Sequence, residues 1–145
     1  MNQKKIEELI YSYSFMQREV IRLEGIYFRV SDSGRSWGVA QYGIEAAMPK
    51  GSSIRSAVEI DAMDKREQRM WNRIQAYEAK IELLDAAYDL LEDDMQKVIF
   101  DCMTDGMSYR SIAEHIGVSR HVIREKKDEM IQLFIESGHF DQNDQ

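Results

Sequence analysis

The stretch SYRSIAEHIGVSRHVIREKKDEMIQLF, residues 108–134, decides how this chain is read. Two helices that cross over a very short turn make narrow demands on sequence, and the segment meets them in order. Ala113 is the small residue at which a second helix approaches the first, and Gly117 suits the left-handed backbone of the turn. Ile112, Ile116, Val118 and Ile123 are spaced to point inward on both sides of that turn. Ser108 and Ser119 stand where a hydroxyl accepts a bond from a free backbone N–H and so caps a helix. Taken together as I-A-x-x-I-G-V-S-x-x-x-I, these residues predict a helix-turn-helix, with a first helix over 109–116 and a second over about 120–136 that stops at Ser137 and Gly138.

With Val122 and Ile123 turned inward, Arg120, His121, Arg124 and Lys127 are left to face solvent. In such a motif the start of the second helix enters the major groove of duplex DNA. Arginine there grips guanine O6 and N7 with two bonds, or takes a phosphate. Arg120, His121 and Arg124 are therefore expected to read bases. Ser108, Tyr109, Arg110 and Ser111 open the preceding helix, where free N–H groups and side chains suit phosphate. Ser108, Arg110 and Lys127 are expected to position phosphates, and Tyr109 and Ser119 complete the candidate DNA-binding set. Residues 108–127 hold five basic and two acidic side chains, a balance of +3, while the whole chain is −7 and the remainder is −10. A basic face on an acidic protein is what a modest DNA contact requires, because neutralised phosphates supply much of the affinity. Lys126 alone reads as part of a solvated helix face.

Working outward, the apolar pattern predicts an all-α chain. Ile6, Leu9, Tyr13, Met16, Val20 and Leu23 form a heptad seam on an N-terminal helix over 1–24, which Gly25 is expected to end. Residues 25–55 are rich in Gly and Ser and predict an irregular segment. Within it Tyr27, Phe28 and Val30 suit either a short strand or a loop packed on the helices, as does the run over 37–42, with a turn over 31–34. Pro49 begins a loop over 49–53. A long amphipathic helix over 56–91 carries a second seam of Met63, Met70, Ile74, Tyr77, Ile81, Leu84, Tyr88 and Leu91, with Trp71 beside it. The two seams predict an antiparallel helical hairpin or a dimer. Residues 92–138 form the helix-turn-helix domain, opened by a helix that Asp93 or Asp94 caps and whose apolar face is Met95, Val98, Ile99, Cys102 and Met103. The tail over 139–145 is polar and expected to fray.

At these residues a family resemblance emerges. Residues 93–134 resemble the region-four helix-turn-helix of bacterial sigma factors. Over 49–134 the chain resembles the ArpU/RinA-type phage transcriptional regulators, through PKGSS ahead of a long helix, LLEDDMQKVI, and MSYRSIAEHIGVSRHVIREKKDEMI. The resemblance implies a phage or prophage regulator of late genes, such as packaging or structural genes, that works with bacterial RNA polymerase on double-stranded DNA. The departure is Val122-Ile123 where related motifs often carry Thr then Val, which removes a hydroxyl contact and keeps the inward role.

Other classes fit less well. A small terminase subunit also joins a helix-turn-helix to helical oligomerisation, but usually carries its DNA-binding element at the opposite end. A protein-interaction module that meets RNA polymerase is compatible with DNA binding. An enzyme is disfavoured: there is no phosphate-cradling loop, no Cys pair and no HExxH, and His115, His121 and His139 lack metal-ligand spacing. No cofactor is expected. The lone Cys102 predicts a buried thiol and a reducing compartment, here the bacterial cytoplasm. The start MNQKKIEEL has no apolar core after its lysines, and no run approaches the roughly 20 apolar residues of a membrane span. Homo-oligomers are expected, since two seams need burial and one helix-turn-helix reads few base pairs.

Overall fold

A computed structural model of the chain describes residues 1–39 and 56–143, with side chains placed over 1–29 and 65–142. The described residues are all-helical, with no strand among them: α1 (Gln3–Tyr11), α2 (Tyr13–Val39), α3 (Ser56–Tyr88), α4 (Asp94–Thr104), α5 (Tyr109–Ile116), α6 (Arg120–Ser137) and a 3-10 turn at Asp141–Asn143. No helix among these residues is long and apolar enough to cross a membrane. The chain divides into two units, one of residues 1–17 with 78–145 and one of residues 18–77.

The first unit is built around α6. Its inward face presents Ile123, Met130, Ile131 and Phe134, all buried, at helical spacing. Helices α4 and α5 pack on α6, and α1 packs on both α4 and α6. Ile6 and Ile10 of α1 are fully buried, as are Leu84, Ala87, Ile99, Met103 and Ile112. The N-terminal helix thus supplies core to the helix-turn-helix instead of standing apart from it. At about 25 cal/mol per Å2 of apolar area, each buried Ile is worth roughly 2 kcal/mol, so α1 is a substantial part of that core.

The expected single helix over 1–24 is interrupted at Ser12. The Ser12 N–H is shared between the carbonyls of Glu8 and Leu9 at 3.0 and 3.1 Å, and its hydroxyl donates to Leu9 O at 2.7 Å. On either side of it Tyr11 donates to Met107 O at 3.0 Å, Tyr13 donates to the Asp85 carboxylate at 2.7 Å, and Ser14 donates to Thr104 O. Burial, with the Asp85 carboxylate beside it, pushes the Tyr13 hydroxyl up to about 12.

Helices α2 and α3 run antiparallel: Tyr13 of α2 meets Asp85 of α3, and farther along α2 the ring of Tyr27 lies 5.6 Å from that of Trp71. Val20 and Leu23 on α2 and Met70 and Ile74 on α3 are buried, so the two seams cover each other within one chain. The hairpin is intramolecular, and the seam argument for a second copy falls away.

Two expectations need correction. Residues 25–39 are helical, not irregular, and neither the strand at Tyr27, Phe28 and Val30 nor residues 37–39 of the second strand form. Gly25 costs a helix only about 1 kcal/mol relative to Ala, and it is not among the glycines with positive φ that end helices here. Packing of Tyr27 on Trp71 carries α2 past it. Residues 40–55, including the loop expected over 49–53, lie outside the described residues, as do the side chains at Met63 and over 31–34. The tail is also better anchored than its polarity suggests. Phe140 is buried against Phe134, His139 Nε2 lies 2.8 Å from Leu83 O, and Asp141 meets the amine of Met1 at 2.8 Å.

Candidate nucleic-acid interface

Helices α5 and α6 are joined by Gly117, Val118 and Ser119. Gly117 has φ +87°, and its N–H and that of Val118 both reach Ala113 O, at 2.8 and 3.0 Å. These bonds satisfy the carbonyl that the end of α5 would otherwise leave free and turn the chain sharply. Ser108 caps α5 by accepting from Ser111 N at 3.2 Å, and Ser119 caps α6 by accepting from Val122 N at 3.3 Å. A capping hydroxyl uses its lone pairs on the helix and keeps a proton to donate. In Ser108 that proton lies along a 3.0 Å contact to Ser111 Oγ. Asp93, not Asp94, caps α4: its carboxylate accepts from Met95 N at 2.9 Å and meets Lys126 Nζ of α6 at 3.0 Å. The Lys126 ammonium, then the Met95 N–H, hold the Asp93 carboxyl below the usual carboxylate range. The Cys102 thiol is buried, and burial with Asp105 and Asp101 nearby pushes its pKa up, away from reactivity.

The predicted residues divide into two groups. Ser108, Arg110, Ser119, Arg120, His121 and Arg124 are all exposed around the turn and along the outer faces of α5 and α6. Arg110 lies 3.5 Å from Glu114, and His121 Nε2 lies 2.9 Å from Glu125, each one helical turn along its own helix. Arg120 and Arg124, four residues apart on α6, make no ion pair or hydrogen bond with any described residue.

Lys127 and Tyr109 belong to the interior, contrary to expectation. Lys127 is buried, with its ammonium 3.3 Å from Glu7, 2.7 Å from Asp128 and 5.3 Å above the centre of the Tyr109 ring. It ties α6 to α1, with its ammonium engaged by two carboxylates. The Tyr109 hydroxyl is itself buried and meets no hydrogen-bond partner. The signal was in the spacing. Lys127 falls four residues after Ile123 and three before Met130, on the inward stripe, and Tyr109 precedes Ile112 and Ala113 by three and four. The charge of Lys127 drew it outward on paper, while its four-carbon stem and two acidic neighbours let it stay inside. Ser111, named with Ser108 at the start of the helix, is exposed beside it.

The outer face therefore carries three arginines and a histidine against two glutamates, less basic than residues 108–127 suggest, because Lys126 and Lys127 are held by Asp93, Glu129, Glu7 and Asp128. Among the described residues no cluster of His, Cys, Asp and Glu is arranged to hold a metal ion.

Fold and turn together define an all-α protein with a helix-turn-helix whose outer face bears two arginines that have no ion pair among the described residues. The chain belongs to the family of a Bacillus subtilis (strain 168) relative, "Uncharacterized protein YqaQ", to which it is 43% identical over 141 residues, 97% of this chain and 93% of that protein. No protein-family model matches the chain. No solved structure matches it either.

Proposed function

We propose that this protein is a sequence-specific binder of double-stranded DNA that regulates transcription in the bacterial cytoplasm, and that it is not an enzyme. The observation that carries the reading is the pair Arg120 and Arg124. Both are exposed in the first turns of α6 and have no ion pair or hydrogen bond among the described residues, while the opposite face of the same helix is locked into the core. An arginine that is already ion-paired must give up that partner to meet DNA; these two need not. A helix-turn-helix offers the groove the start of its second helix, and Arg120 and Arg124 are one turn apart there, so both reach neighbouring base edges or one base and its phosphate. Arg110 and the hydroxyls of Ser108, Ser111 and Ser119 flank them as phosphate contacts. The resemblance to ArpU/RinA-type regulators supports a late-gene activator of a phage or prophage acting with RNA polymerase. Two copies would read two half-sites.

The test is binding of the wild type and of Arg120→Ala/Arg124→Ala to duplex fragments flanking the gene, across a salt series. Selective, salt-sensitive binding that the double change abolishes, with helicity intact by circular dichroism, is the expected result. A folded wild type that selects no duplex at low salt would sink the reading.

A further inference from the structure

The helix-turn-helix sits in an acidic body. Residues 1–17 and 78–145 hold nine basic and eighteen acidic side chains, whereas residues 18–77 hold ten basic and eight acidic ones. A DNA-binding element on a strongly acidic unit works against repulsion from the phosphate backbone, and cations elsewhere must offset it.

The basic side chains of the second unit are arranged in rows. On α3, Arg66, Arg69 and Arg73 are spaced three and four apart, which puts them on one face, and all are exposed beside the buried Met70 and Ile74. On α2, Arg18 and Arg22 are four apart and exposed. Arg22 bonds the Glu19 carboxylate, also on α2, at 2.8 and 2.9 Å and holds its carboxyl below the usual range. Both rows lie on the helices α2 and α3, which pair through Tyr27 and Trp71. The exposed aromatics Phe28 and Trp71, each in contact with Tyr27, gather in a cluster of their own. Arg18, Arg66 and Arg69 make no ion pair or hydrogen bond with a described residue.

We infer that the exposed arginines of this hairpin, above all the row on α3, are a second contact for duplex DNA, one that grips the phosphate backbone without reading sequence. It rests on the DNA-binding reading proposed above. Three features select phosphate. The residues are arginines, whose planar fork matches phosphate oxygens. The α3 row extends over about 10 Å of helix axis, and duplex DNA presents about one charge per 1.7 Å of its axis, so several phosphates fall within reach of one row. The row also lies on one continuous helix, which fixes the spacing of its Cα atoms.

The experiment uses the full chain and two duplexes, the selected fragment and one of scrambled sequence. Affinity is measured against salt for the wild type, for Arg66→Gln/Arg69→Gln/Arg73→Gln, and for the corresponding triple Lys variant. The Gln variant is expected to bind both duplexes more weakly, with their affinity ratio unchanged and a salt slope shallower by about 0.9 for each lost phosphate contact. The Lys variant, which keeps the charge, is expected to retain the wild-type slope. Should the triple change unfold the chain, Arg66→Gln/Arg69→Gln leaves Arg73 in place and carries the same test. An unchanged slope in a folded Gln variant overturns the inference and leaves the helix-turn-helix reading standing. An unchanged slope together with loss of self-association would instead assign the row to the acidic unit of a second copy. A wild type that binds neither duplex overturns both readings at once.

Discussion

Replacing Lys127 by alanine is expected to weaken the fold and leave DNA binding by the folded protein intact. The magnitude follows from what the ammonium touches. Removing one member of a fully buried ion pair costs about 3–5 kcal/mol, because the survivor is left charged and unpaired. Here the Lys127 side chain is 9% exposed, but Glu7 is 24% exposed and Asp128 is 55% exposed. Asp128 turns to water at little cost, and Glu7 recovers part of its solvation, so the electrostatic loss falls to about 1 kcal/mol. The buried stem over the Tyr109 ring adds about 1 kcal/mol of lost packing. The sum of about 2 kcal/mol corresponds to a midpoint lowered by roughly 6 °C in a chain of this size. Lys127→Met keeps the stem and should lose about half as much, roughly 1 kcal/mol. Adding Glu7→Gln to Lys127→Met should recover part of that loss, since the orphaned charge is gone. Thermal unfolding followed by circular dichroism reads all three. If Lys127→Ala melted like the wild type and its DNA salt slope were shallower by about one contact, the burial argument would be refuted and Lys127 would be a phosphate ligand.

Three further predictions test the elements that position the turn. Gly117→Ala should destabilise by about 1 kcal/mol, purely from the left-handed backbone, because a Cβ there meets no atom within 4 Å; a urea midpoint equal to the wild type's would contradict this. Asp93, with its carboxyl depressed by Lys126 and Met95 N–H, stabilises the fold above the usual carboxylate pKa of about 3.9, and that contribution is lost as pH falls through the lower folded value. Asp93→Asn keeps a capping acceptor without the charge, so its stability should fall less steeply below about pH 4, and superimposable acid limbs would mean that the Lys126 bond is not made in solution. Phe140→Ala removes a buried ring from the Phe134 contact and should cost about 3–4 kcal/mol, whereas a truly frayed tail would give no change in the unfolding midpoint.

The helix-turn-helix was legible because its demands are local. A small residue, a left-handed glycine and two capping serines act within a few residues of themselves, so Ala113, Gly117, Ser108 and Ser119 can be assigned without knowing what lies elsewhere. The part that α1 plays was not legible, because nothing in its heptad pattern says which partner it meets. Ile6 and Ile10 are buried, and α1 packs on α4 and α6, partners that lie more than eighty residues away in sequence. The helix through Gly25 was misread for a related reason. A glycine ends a helix only when the chain leaves in the left-handed conformation, and that depends on tertiary contacts such as Tyr27 on Trp71. Phe140 shows the same limit at the other end: one apolar residue in a polar tail anchors it when a ring such as Phe134 is waiting.

Charge is where local reading failed most instructively. A window of sequence counts charges, but folding allocates them. Of the five basic residues over 108–127, Lys126 and Lys127 are drawn into ion pairs that join helices, and Arg110 already has Glu114. That leaves Arg120 and Arg124 as the cations that can meet DNA without first surrendering a partner, with Arg110 a third at some cost. Each neutralised phosphate contributes about 0.9 to the salt slope, so the helix-turn-helix alone can account for a slope of at most about 3 per chain. A steeper slope must draw on cations outside residues 108–127. The exposed arginines of α2 and α3 are the largest group of candidates for such a surplus among the described residues, since the rest of the helix-turn-helix unit holds only Lys4, Lys5, Lys80 and Lys97 against its many acids. Selectivity and affinity would then be divided between two surfaces: two arginines at a groove to choose the site, and an arginine row on another element to hold it.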